Sequence, residues 1–172
     1  AYEIATQSEL FVLGIEPDAE RISRARKNLD HAGLYGKRVS IHQASAGQLP
    51  YLSYFANVIL SETAFESGKL PFAADAVFPM LQPCGGLMMI AGSMNKQILQ
   101  RWGQSLKGWS VQEEDGLSTG SVLRGKLAGS GEWTHMFADP ANTLCSRDKF
   151  VAGAQYDIQW IGSPGSERQY GW

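Results

Sequence analysis

The sequence predicts an α/β fold built on a mostly parallel, doubly wound sheet, on three observations. Short, nearly continuous apolar runs recur as LFVLGIE (10–16), NVILSE (57–62) and LMMIAG (87–92), the pattern of strands covered on both faces. Segments with apolar residues at three-four spacing stand between them, so strands alternate with helices joined by right-handed crossovers. Two of the runs end on an acid, Glu16 and Glu62, at the carboxyl edge where sheets of this kind bind ligands.

Each element has its own signal. AYEIATQSE (1–9) places Ala1, Ile4 and Ala5 at helical spacing and reads as the end of a helix. After the first strand, Pro17 and Asp18 make the turn. Ala19 to His31 then carries Ile22, Ala25, Leu29 and Ala32 on one stripe, with charges opposite, and Gly33 and Gly36 punctuate its end. RVSIHQA (38–44) is the next strand, followed by a loop through Leu49, Pro50 and Tyr51. NVILSE is expected to run as strand through Glu62. Ala73 to Leu81 is a compact helix stopped by Gln82-Pro83-Cys84-Gly85-Gly86, ahead of the LMMIAG strand. Asn95 to Leu106 is a helix with Ile98, Leu99, Trp102 and Leu106 inward. WSVQEE (109–114) and SVLRGKL (121–127) read as an antiparallel pair joined by a glycine-containing loop.

After Leu127 the pattern changes to Gly, aromatic and turn residues without helical periodicity. Only FVAG (150–153) and YDIQWIG (156–162) look strand-like there. A domain boundary is expected near 128–131, separating residues 1–127 from an irregular β-type tail at 128–172. The chain begins Ala-Tyr-Glu and stops at Tyr170-Gly171-Trp172, so it reads as an excerpt cut at both ends.

Composition narrows the function classes. With 172 residues, 44% hydrophobic, 19% charged and a net charge of -2, the balance is that of an ordinary globular chain. It gives no electrostatic ground for nucleic acid or an anionic membrane as partner. Arg21, Arg24, Arg26 and Lys27 read as one solvated helix face. No apolar run approaches the roughly 20 residues of a membrane span. Cys84 and Cys145 make no disulfide framework, and His31, His42 and His135 match no metal spacing, so no metal site is expected.

The chemistry centres on Glu16. A ribose offers two adjacent hydroxyl donors, and one carboxylate at a strand end offers two acceptor oxygens at matching separation. A solvated strand-end acid is the simpler reading of the same residue. Ser45 and Glu62 fall at or just after neighbouring strand ends, so the three should share one edge of the sheet.

GIEPDAERISRARKNL, followed by VSIHQASAGQLPY, NVILSE and LQPCGGLMMIAG, resembles the class I S-adenosylmethionine-dependent methyltransferases in order and separation, over roughly residues 1–127. The resemblance implies a Rossmann-like, methyltransferase-type sheet with a small-molecule cofactor, S-adenosyl-L-methionine. It implies that Glu16 binds the ribose, that Pro17 and Asp18 lie beside the adenine, and that Ala44, Ser45 and Ala46 form the adenine edge. Ser61 and Glu62 would lie near the methionine end or the methyl acceptor, with Glu62 a weak candidate for a catalytic base; otherwise the catalytic residues and the acceptor stay open. Leu81 to Gly86 looks like the family's "L-x-P-G-G" turn. The sequence departs from the family pattern where Ser45 stands in place of an acid and Asn57 in place of Asp. The family's first strand and glycine-rich loop would precede Ala1. LFVLGIE must then leave a gap beside NVILSE or pair with it directly, and the excerpt is expected to bind S-adenosylmethionine poorly.

WTHMFADPANT (133–143), with the run ending Gln159-Trp160-Ile161-Gly162, resembles the start of a quinoprotein-like (PQQ-type) β-propeller. That implies an adjoining propeller domain in a longer parent, with no quinone site assignable here. The methyltransferase resemblance suits a cytoplasmic setting and the propeller resemblance an extracytoplasmic one, so location stays open. The remaining signals have plain readings. Ser61 lacks G-x-S-x-G surroundings, Cys84 is structural, Trp102 and Trp109 are core residues, and Asp139 and Asn142 form turns. Three functions fit: a methyltransferase, an NAD(P)-dependent oxidoreductase using the same ribose acid, and a non-catalytic scaffold attached to the propeller.

Overall fold

The computed structural model describes residues 1–44, 49–70 and 72–149, with the backbone alone of Glu62 and Thr63. Its strands form two sheets. In the first, β1 (Val12–Glu16) and β2 (Val39–Gln43) run parallel, in a register that pairs Val12 with Val39 and Glu16 with Gln43. In the second, β3 (Val58–Ser61), β4 (Leu87–Gly92), β5 (Ser110–Glu114) and β6 (Leu117–Leu123) lie in the order β3-β4-β6-β5. There β3 and β4 are parallel, and β6 is antiparallel to both β4 and β5. Of the two arrangements expected for LFVLGIE and NVILSE, the structure has the separated one: β1 and β3 share no ladder.

The first sheet carries α1 (Tyr2–Gln7) and α2 (Ala19–His31). Ala5, Ile22, Leu29, Val39 and Ile41 are buried together, with Val12 and Ala25 packed against them. This is the apolar stripe of α2 laid on alternate strand residues, as its three-four spacing dictates. Asp18 caps α2 by accepting the backbone N–H groups of Glu20 (2.8 Å) and Arg21 (2.9 Å). Gly33, at φ +69°, turns the chain out of the helix end. The basic face of α2 is not simply solvated. Arg26 bends back to give the Ile41 carbonyl two hydrogen bonds, of 3.2 and 2.6 Å, and Arg21 turns to Glu16.

Four differences mark the second half. NVILSE stops being strand at Ser61, and Glu62 opens a helix that the sequence did not signal, α3 (Glu62–Ser67). Ser61 is its cap, and Gly68 closes it at φ +64°. The helix expected over 73–81 shrinks to α4 (Ala74–Val77) and a tight 3₁₀ turn over Phe78–Met80, because Pro79 has no N–H to extend the ladder. The helix expected to reach Leu106 is α5 (Lys96–Trp102), capped by Asn95 and stopped at Gly103. The last strand begins at Leu117 rather than 121. The hairpin turn is Asp115-Gly116, both at positive φ, the dipeptide that primed two-residue turns favour.

Two contiguous apolar clusters fill one face of the second sheet. One gathers Ala74, Val77, Leu81, Met88, Leu106 and Val122; the other gathers Ala64, Ile90, Met94 and Leu99. Trp102 and Trp109 belong to both, as their reading as core residues required. Beyond β6, Arg124 and Gly125 stay paired to the Cys84-Gly85-Gly86 turn. Residues 128–149 then form turns tied to one another, with Lys149 donating to the Gly129 carbonyl at 2.9 Å. The strand-like runs FVAG and YDIQWIG lie outside the described residues. Among the described residues, no helix is long and apolar enough to cross a membrane.

Candidate functional site

Parallel pairing brings the carboxyl ends of β1 and β2 together, and local bonds fix the loop that follows. The Ala44 N–H donates to the Glu16 carbonyl at 3.4 Å, extending the ladder by one rung. Gln43 Nε2 donates to the Pro17 carbonyl at 3.2 Å, tying the turn after β1 to the end of β2. Pro17 and Asp18 are exposed. The Asp18 carboxyl is held below the usual carboxylate range, chiefly by the Arg21 backbone N–H, with burial opposing and the Glu20 N–H and the Arg21 and Arg24 charges assisting.

Glu16 stands at this edge with 26% of its side chain exposed. Its Oε1 accepts the Asp18 backbone N–H at 3.0 Å, and its Oε2 accepts Arg21 Nη1 at 3.3 Å. The same guanidinium lies 3.8 Å, through Nη2, from the Glu66 carboxylate on α3. Arg21 therefore spans from the end of β1 to the helix that follows β3.

Beyond Glu66 is a groove of about 320 Å3 lined by Ile4, Leu60, Ser61, Phe65, Glu66, Met89 and Ala91. Its walls are mostly apolar, and Ser61 and Glu66 supply the polar groups. Glu16 does not line it. Ser61 Oγ accepts the Ala64 N–H at 3.3 Å, so this hydroxyl's first use is to cap α3. Glu62 is the first residue of α3, and its side chain, with Ser45 and Ala46, lies outside the described residues.

The structure thus gathers Glu16, Pro17, Asp18 and Ala44 at one strand edge. Ser61 stands at the end of β3, across the Arg21–Glu66 bridge. Sequence reasoning missed Arg21 and Glu66. The signal for Arg21 was a cation in the first turn of a helix, where the macrodipole disfavours it unless an acid stands by. Also unforeseen is the contact of His42 Nδ1 with the Tyr51 hydroxyl at 2.8 Å, with Tyr51 in turn 4.9 Å, centroid to centroid, from Phe55. Burial pushes the Tyr51 phenol up. No group of three or more His, Cys, Asp and Glu among the described residues is placed to hold a metal ion.

Neither a scan against protein-family models nor a search of curated proteins finds a match to this chain. Solved structures do match. A Methanococcus maripaludis protein described as a candidate S-adenosyl-L-methionine-dependent methyltransferase aligns with a TM-score of 0.59 at 16% identity, covering 72% of this chain and 71% of that one. A SAM-dependent methyltransferase from Aquifex aeolicus aligns with a TM-score of 0.51 at 13% identity, covering 64% and 67%. At these identities the likeness is one of fold. The chain has the α/β, Rossmann-like fold of the methyltransferase type, with parallel strands flanked by an antiparallel C-terminal hairpin.

Proposed function

We propose that this chain is an S-adenosyl-L-methionine-dependent methyltransferase domain in which Glu16 takes the two ribose hydroxyls of the cofactor. The observation that carries the reading is the place of Glu16: a partly exposed carboxylate at the end of a parallel strand, beside a turn held by Gln43 and a capped helix. Pro17, Asp18 and Ala44, with Ser45 and Ala46, would flank the adenine. Ser61 and Glu62 would lie toward the methionine end or the acceptor. When bound, the cofactor's sulfonium supplies an electrophilic methyl group, and the protein's work is to orient it toward an acceptor. Glu62, the first residue of the helix after β3, is the residue that would take the acceptor's proton, if the acceptor needs a base.

One observation favours a second reading. Glu16 already holds an N–H and a guanidinium, and Ser61 caps a helix, as expected of a scaffold that keeps the sheet without the chemistry. An NAD(P)-dependent oxidoreductase would use the same acid, but no observation favours it. The tail from 128 onward is proposed as a linker into a propeller-like domain, on the sequence of 133–143. In support of a built turn there, Asp139 accepts from the Ala141 and Thr143 N–H groups and the Thr143 hydroxyl.

Ultraviolet crosslinking with labelled S-adenosylmethionine tests the reading. Label is expected within residues 12–44, competed by S-adenosylhomocysteine and not by NADH. Competition by NADH supports the oxidoreductase, and absence of label supports the scaffold. Binding is expected to be weaker than micromolar, because β1 and β3 share no ladder and the gap between them leaves the cofactor without one wall.

A further inference from the structure

We infer that Arg21 is an autoinhibitory latch on the nucleoside site, closed on Glu16 and released toward Glu66. The inference rests on the reading of Glu16 as the ribose acid. A ribose diol needs both carboxylate oxygens, but in this structure one of them, Oε2, is taken by Arg21 Nη1 at 3.3 Å. The other, Oε1, accepts the Asp18 N–H at 3.0 Å and keeps a free lone pair for a further donor. Oε2 has a second lone pair as well, but a ribose hydroxyl there shares an oxygen already neutralised by the guanidinium, so ligand and Arg21 compete for it.

The displaced guanidinium has a seat. Its Nη2 is already 3.8 Å from the Glu66 carboxylate, so a small rotation exchanges one acid for the other without stranding the charge. Arg21 also sits in the first turn of α2, where the helix dipole repels a cation, and it needs a carboxylate in either position. Both side chains of the outer pair are largely exposed, 56% for Arg21 and 64% for Glu66, so the exchange takes place in solvent and displaces no core group. The energy at stake is that of a surface ion pair, which sets the latch at a factor of about two to five in affinity. Because the contact is solvent-exposed, salt weakens it.

The test uses adenosine, which is uncharged and so insensitive to the net charge of the site. It is titrated by two-dimensional NMR into the full chain and into the variants Arg21→Gln, Glu66→Gln and Glu16→Gln. The latch predicts binding about two- to fivefold tighter for Arg21→Gln and weaker for Glu66→Gln. It also predicts that added salt narrows the gap between wild type and Arg21→Gln. If wild type binds, Glu16→Gln does not, and Arg21→Gln binds equally or more weakly, the latch is overturned while the ribose reading stands. If neither wild type nor Arg21→Gln binds adenosine, or if Glu16→Gln binds as well as wild type, the ribose reading falls and takes the latch with it.

Discussion

Trp109 lies against the backbone of Gly120, so close that a Cβ on that glycine would stand 2.2 Å from Trp109 Cζ2. The indole cannot move away. Its Nε1 donates to the Leu99 carbonyl at 3.1 Å, and the same ring meets Gly103, where an added Cβ would fall 2.4 Å from Cε2. Two glycines and one carbonyl thus fix the ring that joins α5 to the hairpin. Gly120→Ala should overpack this contact and destabilise the fold by about 1–3 kcal/mol or more. Denaturant unfolding checks it, and a wild-type midpoint would show that the indole is free to shift.

Arg124 does comparable work at the other end of the sheet. Its Nη1 reaches the carbonyls of Phe78 (2.8 Å), Pro79 (3.0 Å) and Leu81 (2.6 Å), closing the turn that Pro79 forces. The guanidinium also lies over the rings of Tyr54, at 4.8 Å, and Phe78, at 4.7 Å. Arg124→Ala should cost about 2–4 kcal/mol, as three carbonyls lose a charged donor and two rings lose their cation. Arg124→Lys should recover less than half of that, since an ammonium lacks the flat fork that stacks and donates together. Thermal unfolding of the two variants separates the contributions.

Asp18 gives the fold an acid-sensitive point. Its folded carboxyl titrates below the ordinary value of 3.8, so its stabilisation is complete above that pH and is lost as pH falls through the depressed folded value. Asp18→Ala should lower the unfolding midpoint near neutrality, and Asp18→Asn should lower it less, because the amide oxygen still caps α2. As pH falls through the depressed folded value, the wild type should lose its advantage and approach Asp18→Asn, while the gap between the two variants, neither of which titrates at this position, stays. A difference between wild type and Asp18→Ala that persists undiminished in acid would place the effect elsewhere than in the charged cap.

The strands were legible because LFVLGIE, NVILSE and LMMIAG carry a continuous apolar signal, and Ala19 to His31 carries both a stripe and a cap. The strands are not covered on both faces as that signal implied: Leu13, Leu60 and Met89 are exposed. Helix α3 was not legible. Ser61-Glu62-Thr63 reads as the polar end of a strand, and only the pairing of the Ser61 cap with Gly68, seven residues on, marks a six-residue helix. The start of β6 was hidden by Gly120, which looks like a loop residue but is there because an indole needs the space. At the site, strand order alone led to Glu16, Ser45 and Glu62 being expected on one edge, and the methyltransferase resemblance added Pro17, Asp18 and Ala44. The sequence did not show that Arg21, five residues on, turns to Glu16, nor that the same guanidinium reaches Glu66, 45 positions away, a contact set by tertiary structure.

The most direct test of the central claim compares adenosine with 2′-deoxyadenosine, titrated by NMR into the wild-type chain and into Glu16→Gln. If the Glu16 carboxylate holds the diol, loss of one hydroxyl removes a charge-assisted hydrogen bond and should weaken binding to wild type by about tenfold or more. The Glu16→Gln variant should hardly distinguish the two nucleosides. Equal affinity of the wild-type chain for both would contradict the account, leaving Glu16 as a strand-end acid paired with Arg21.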